Sequence, residues 1–208
     1  MSEHLHLTST EQFDRVWVEK SVFEVADQYK KGELPRPGLE GQALYCLFYE
    51  PSFVTRASFE RAFGLLDGAA YQTEDASQFF PVRTPNYIED VIQILSSLHF
   101  NVVVLRSSEE GIIERASSID VVPLINGGSL DDHPTQSLAD LYTIQKELGS
   151  IDGVHVSIVG RLEHRNVSAL LKGLALYDDV KVTLIPFSGQ IDPAVSAYCE
   201  SKGLQLET

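Results

Sequence analysis

The chain has 208 residues, 43% of them hydrophobic and 22% charged, which is the composition of a soluble protein able to bury a core. Its 16 Lys and Arg against 30 Asp and Glu leave a formal charge of −14, and this argues against a nucleic-acid or anionic-membrane surface. Cys46 and Cys199 form no disulfide or metal pattern, no apolar run has membrane-spanning length, and the opening MSEHLHLTST lacks the features of a signal peptide, so a reduced cytoplasmic protein is expected.

Residues 10–31, TEQFDRVWVEKSVFEVADQYKK, place Phe13, Val16, Trp17, Val22 or Phe23, Val25 and Tyr29 on one helical stripe. Thr10 is the expected N-cap, and Lys30-Lys31 complement the helix dipole at the other end. After the loop GELPRPGLEGQ, the run ALYCLFYE at 43–50 is short and rich in aromatics, and predicts a buried strand. It leads into Pro51-Ser52 and a helix over 51–68 with Phe59, Ala62, Phe63 and Leu66 inward. Ser52, Thr55 and Arg56 then stand where a strand turns into a helix. In an open α/β sheet that place suits a phosphate, although Ser and Thr are equally ordinary there as caps.

AAYQTED at 69–75 predicts a second strand, followed by a proline-containing loop at 76–86. Tyr87 to Ser97 form a helix with Ile88, Val91, Ile92 and Leu95 on one face. FNVVVLR is apolar throughout, as a central parallel strand should be, and its end delivers Arg106. A short helix over 107–118 and a strand over 119–128, IDVVPLINGG, come next. Gly127-Gly128 and the acidic pair Asp131-Asp132 lead to a helix with Leu138, Leu141, Ile144 and Leu148 at helical spacing and Pro134 at its first position. His133, Thr135 and Gln136 sit at its positively polarised end, suited to a carbonyl or an anion, with capping the other role open to His133 and Asp132. Such placement favours a neutral imidazole acting as a donor.

After GSIDG the pattern restarts: VHVSIVG as a strand, RLEHRNVSALLKGLALYD as loop and helix, VKVTLIPF as a strand and AVSAYCESKG as a helix. The expected fold is therefore α/β, with a doubly wound parallel sheet in the N-terminal domain and the start of a second Rossmann-like domain. The expected limits are 1–133 for the first domain, 134–149 for a connecting helix and 150–208 for a partial second domain too short to complete a core alone. The polar points at 52–56, 106 and 133–136 all follow strands, so they are expected to converge on one pocket. His4, His6, His155 and His164 carry no specific signal, and neither a metal nor a cofactor is expected.

PSFVTRASFE, VVVLRSSEEG, NGGSLDDHPTQSLADLYTI and VGRLEHRNVSALLKGLAL occur in the order and spacing of the aspartate and ornithine carbamoyltransferases, and the chain resembles the aspartate branch most. The resemblance implies a carbamoyl-phosphate-binding domain, an amino-acid-binding domain, a homotrimer or higher homo-oligomer with sites between subunits, and a place in pyrimidine biosynthesis. It assigns Ser52, Thr55 and Arg56 to the phosphate, Arg106 to phosphate and carbonyl, and His133 and Gln136 to the carbamoyl group. Arg106, His133 and Gln136 would be the catalytic residues.

This chain also departs from the family pattern. Phe53 and Val54 replace the middle Thr and first Arg of the family's Ser-Thr-Arg-Thr-Arg loop. Phe80 and Thr84 stand for the serine and lysine of the next loop, with Arg83 the nearest cation. Arg161 and Glu163 invert the charges of the acceptor loop, and Asn166 takes the place of an arginine, with Arg165 one residue early. Arg83, Arg161, Arg165 and Asn166 are thus the compensating or acceptor contacts to examine. No residue matches the family's later acceptor-binding arginine and glutamine or its His-Pro-Leu-Pro loop. The expectation is carbamoyl transfer to aspartate or a related amine with impaired or altered activity. The alternative is a catalytically inactive homologue serving as a binding or assembly subunit.

Overall fold

The structure, a computed structural model, describes residues 5–33, 38–73, 75–78 and 86–208. They divide into two compact units, one holding the described residues of 1–8 and 35–130, the other those of 9–34 and 131–208. Residues 9–34 and the helix over 134–148 thus fall in the second unit.

The first helical region starts differently from expectation. Ser9, not Thr10, caps a short 3-10 turn at Thr10–Gln12, with the reciprocal Ser9–Gln12 bonds of a capping box. Asp14 then caps a second start, its side chain accepting from the Trp17 amide. Helix α1 covers 15–31 and contains a π-helical stretch, Val18–Phe23, between α-helical Arg15–Trp17 and Glu24–Lys31. The wider turn shifts the phase of the apolar stripe. Val18 and Phe23 are buried, while Val16, Val25 and Tyr29, expected inward, are exposed.

In the first unit, β1 (Ala43–Phe48) is followed by α2 (Phe53–Leu65), β2 (Ala69–Gln72), α3 (Tyr87–Ser97), β3 (Val102–Arg106), α4 (Ile112–Ser118) and β4 (Leu124–Asn126). The four strands are parallel in the order β2-β1-β3-β4. On one face Leu44, Cys46, Phe48 and Val104 pack with Phe59 and Phe63 of α2. On the other, Leu47, Val103 and Leu105 pack with Ile88, Val91, Ile92 and Leu95 of α3 and with Ile112, Ile113 and Ala116 of α4. Helices cover both faces, as doubly wound folds require. Ala62, expected inward, is exposed because Phe59 and Phe63 direct the buried stripe of α2 away from it. Strand β4 is much shorter than the apolar run suggested, and its second edge is met by Leu7 through Leu7 N to Leu124 O at 2.8 Å and Asn126 N to Leu7 O at 2.8 Å. His6 is engaged there too: its Nδ1 lies 3.2 Å from the Leu124 amide, which donates to it.

In the second unit α5 spans Pro134–Leu148, and β5 (His155–Arg161), α6 (Arg165–Leu174), β6 (Lys181–Ser188), α7 (Pro193–Ser201) and β7 (Gln205–Glu207) follow. The strands form a parallel sheet in the order β5-β6-β7, the last of which the sequence pattern did not suggest. Leu171, Leu174, Val180, Val182, Leu184 and Cys199 are buried in its core. Helices α5 and α6 approach closely at Gly173, where a Cβ would stand 2.4 Å from Ser137 Oγ and 2.9 Å from Leu141 Cδ1. Ser137 Oγ also donates to Ala169 O at 2.8 Å. Arg15 ties α1 to this unit through a bidentate bond to Asp152, at 2.6 and 2.9 Å.

Candidate functional site

The order β2-β1-β3-β4 places the topological switch between β1 and β3, the point where ligands enter open parallel sheets. Register pairs Phe48 with Arg106, so the loop after β1 and the end of β3 emerge side by side. Ser52 occupies the N-cap position of α2 in an extended conformation, yet its hydroxyl makes no capping bond. Of the two roles open to it, capping is therefore not the one this structure uses. Thr55 and Arg56 lie half-buried in the first turn, and Arg56 Nε is 3.7 Å from Glu60. Phe53 and Val54 project outward, 78% and 75% exposed.

Arg106 is 13% exposed, donates from Nη1 to Gly127 O at 3.1 Å, and has Nε 3.8 Å from Glu50. Gly127 can approach the strand this closely only without a side chain, since a Cβ there would stand 2.8 Å from Val104 Cγ1. The following loop is folded by Asn126, which is buried: its amide donates to Thr8 O and Ser129 Oγ, and its carbonyl accepts from the Gly128 amide. The first unit thus offers two guanidinium groups and a helix N-terminus at one sheet edge, each guanidinium near a carboxylate. Glu50 and Glu60 temper the positive charge that an anion would meet.

The second unit carries the other polar point. Pro134 stands at the first position of α5, as its missing N–H favours, and His133 precedes it with no side-chain cap bond. His133 is 4% exposed, with Nδ1 3.4 Å from Thr135 Oγ1. Gln136 donates to Asp140 at 2.9 Å, and burial raises the Asp140 carboxyl above its usual range although the Gln136 bond opposes this. Asp132 does not cap α5 through its first turn but turns to Ser9 and Thr10, with Lys172 near. Sequence reasoning missed this cluster, because nothing local distinguishes Lys172 from a solvated helix lysine.

Arg161 ends β5 and pairs with Glu163 at 2.9 Å, both well exposed. The Glu163 carboxyl is held below its usual range by the backbone N–H it accepts from and by Arg161. His164 has a local task, its Nδ1 accepting from the Asn166 amide at 3.2 Å to cap α6. Arg165 and Asn166 form the first turn of that helix. Phe80, Arg83 and Thr84 lie outside the described residues. Among the described residues no three His, Cys, Asp or Glu side chains converge as a metal would need.

The parallel sheets with helices on both faces of the first define an α/β class, and comparison with known proteins narrows it. Residues 5–146 match the model of the aspartate/ornithine carbamoyltransferase carbamoyl-P binding domain. Aspartate carbamoyltransferase 2 of Pisum sativum, described as chloroplastic, is 37% identical over 97% of this chain and 53% of its own length. The catalytic subunit of Saccharophagus degradans is 36% identical over 86% of this chain and 55% of its own. Among solved structures, the aspartate transcarbamoylase of Trypanosoma cruzi in complex with N-(phosphonacetyl)-L-aspartic acid superposes with a TM-score of 0.85 at 31% identity, over 97% of this chain and 67% of that one. The chain belongs to the aspartate/ornithine carbamoyltransferase family, and its likeness to the aspartate branch is borne out. It spans about half the length of the curated relatives it matches. No described helix is long and apolar enough to cross a membrane.

Proposed function

We propose that this chain binds carbamoyl phosphate and transfers its carbamoyl group to the amine of an amino acid, aspartate or a related acceptor. The observation that carries this reading is the meeting of the α2 N-terminus, with its uncommitted Ser52 hydroxyl, and Arg106 at the β1/β3 switch point. In this reading Ser52, Thr55, Arg56 and Arg106 receive the phosphate. Arg106, His133 and Gln136 receive the carbamoyl group, and Arg161, Arg165, Asn166 and Arg83 are the candidate acceptor contacts. The trimer and the cytoplasmic setting implied by the resemblance belong to the same proposal.

The chemistry asks for oriented donors and no protein nucleophile. As the amine attacks the carbonyl carbon, negative charge grows on its oxygen and the C–O bond to phosphate breaks, so donors must face both oxygens. The departing phosphate takes the amine proton, which removes the need for a dedicated base. With Val54 in place of an arginine, fewer charges meet the leaving group, and slow turnover with aspartate is expected. Relatives named as catalytic subunits support the transferase over a silent assembly subunit.

The test is formation of N-carbamoyl product from carbamoyl phosphate and a panel of amino acids. Turnover with at least one acceptor, reduced about 100-fold or more by Arg106→Met, is the expected result. If neither product nor binding of carbamoyl phosphate is detected in wild-type protein, the proposal is wrong.

A further inference from the structure

The second unit devotes a buried ionic cluster to one short stretch of backbone. Asp132, 4% exposed, accepts at least four hydrogen bonds from described residues. Its Oδ1 takes Thr10 Oγ1 at 2.6 Å and the His133 amide at 2.8 Å, and its Oδ2 takes the Thr10 amide at 2.9 Å and Ser9 Oγ at 3.1 Å. Lys172 of α6 places Nζ 3.8 Å from the same Oδ2 and 2.8 Å from Glu11. Its side chain is only 9% exposed. Burial works to lower the Lys172 pKa, but the bond to Glu11 and the charge of Asp132 outweigh it and keep the ammonium charged. Three separated stretches of chain, at 9–11, 131–133 and 172, thus meet on one carboxylate.

An ionic cluster of this kind is a costly way to gain stability alone, since well-packed apolar groups serve as well or better. What it gives is direction. The carboxylate grips the backbone amide of His133, whose own backbone at φ −148 and ψ 75 lies outside the helix it precedes. Position errors near an ångström at a group that orients a reacting carbonyl reduce rates on the order of 100-fold.

We propose that Asp132 and Lys172 are positioning residues that fix the His133 backbone for recognition of the carbamoyl group. The inference rests on the carbamoyl-binding reading of His133 given above. Asp132 acts through the His133 amide, and Lys172 holds Asp132 and Glu11 in place so that the loop before α5 has one conformation.

The experiment is calorimetric titration of the full chain with two probes: phosphonoacetamide, a non-hydrolysable analogue of carbamoyl phosphate, and inorganic phosphate. Phosphate meets only the contacts proposed at 52–56 and 106, so it reports on those without His133. Asp132→Asn is expected to weaken phosphonoacetamide about tenfold while phosphate changes less than about twofold, and Lys172→Met to act in the same sense. Thr10→Val removes a single hydroxyl from the cluster and gives a smaller loss in the same pattern, so it carries the test should Asp132→Asn fail to fold. Equal losses for both probes would mean a general structural role and overturn the inference, as would no loss for either. Wild-type protein that binds phosphate but prefers phosphonoacetamide no more than phosphate overturns the carbamoyl reading of His133, and this inference with it.

Discussion

At the scale of single residues, position relative to a strand end proved more informative than residue type. Ser52 and Arg106 were legible because each follows an apolar run, and the structure sets both at the switch point of the first sheet. Glu60 stands four residues from Arg56 on α2, a spacing the sequence shows, whereas Glu50 and Lys172 were not legible as site neighbours, because partners that come from separate elements leave no trace in spacing. The same is true of Asp132, whose partners at Ser9 and Thr10 lie far back in the chain. Val54 is the residue at which the proposed phosphate site is most open to change. It is exposed at the start of α2, so a longer cation fits there without disturbing the core. Val54→Arg should raise affinity for inorganic phosphate about tenfold in a calorimetric titration, and an unchanged constant would mean that the α2 N-terminus does not hold the phosphate.

At the scale of elements, the periodic helices were read closely and the irregular ones were not. The helix at Tyr87–Ser97 buries its whole apolar stripe, and the one at Pro134–Leu148 buries Leu138 and Leu141 while Leu148 at its end is exposed. Helix α1 failed that reading because a π turn resets its phase at Val18–Phe23, an event that a fixed spacing cannot register. Strand β4 was overestimated because apolar residues such as Val122 are buried outside any ladder, so burial alone does not make a strand. The Arg15–Asp152 pair offers a test at this scale. Bonds from Arg15, then the Asp178 amide, hold the Asp152 carboxyl below its usual range, so its folded pKa lies under the unfolded one. The pair's contribution is therefore complete above the ordinary carboxylate range and is lost as pH falls through the folded value. Arg15→Met should lower stability by about 1 kcal/mol or less at pH 7, given partial exposure, and the deficit in urea unfolding should shrink toward zero under acid conditions. A deficit that stays constant with pH would show that the arginine acts through its contact with the Tyr177 ring instead.

At the scale of the whole molecule, the charge of −14 opposes an anionic substrate, while Arg56 and Arg106 are each tempered by a carboxylate. Long-range steering is therefore repulsive, and screening relieves it within about 10 Å at 0.1 M salt. The association rate of phosphonoacetamide should rise about twofold between about 20 and 150 mM salt, whereas a falling rate would mean that the local cations dominate the field.

The interleaving of the two units has a consequence for biogenesis. Residues 9–34 belong with a partner region that starts only at 131, and the intervening stretch completes the first unit. On the ribosome, the early α1 region emerges with Phe13, Val18 and Phe23 uncovered, and it must stay soluble until the residues from 131 onward arrive. The nascent protein is thereby exposed to misassembly at residues 9–34, and a chaperone that shields this segment would serve it more than one acting on the parallel sheet that follows.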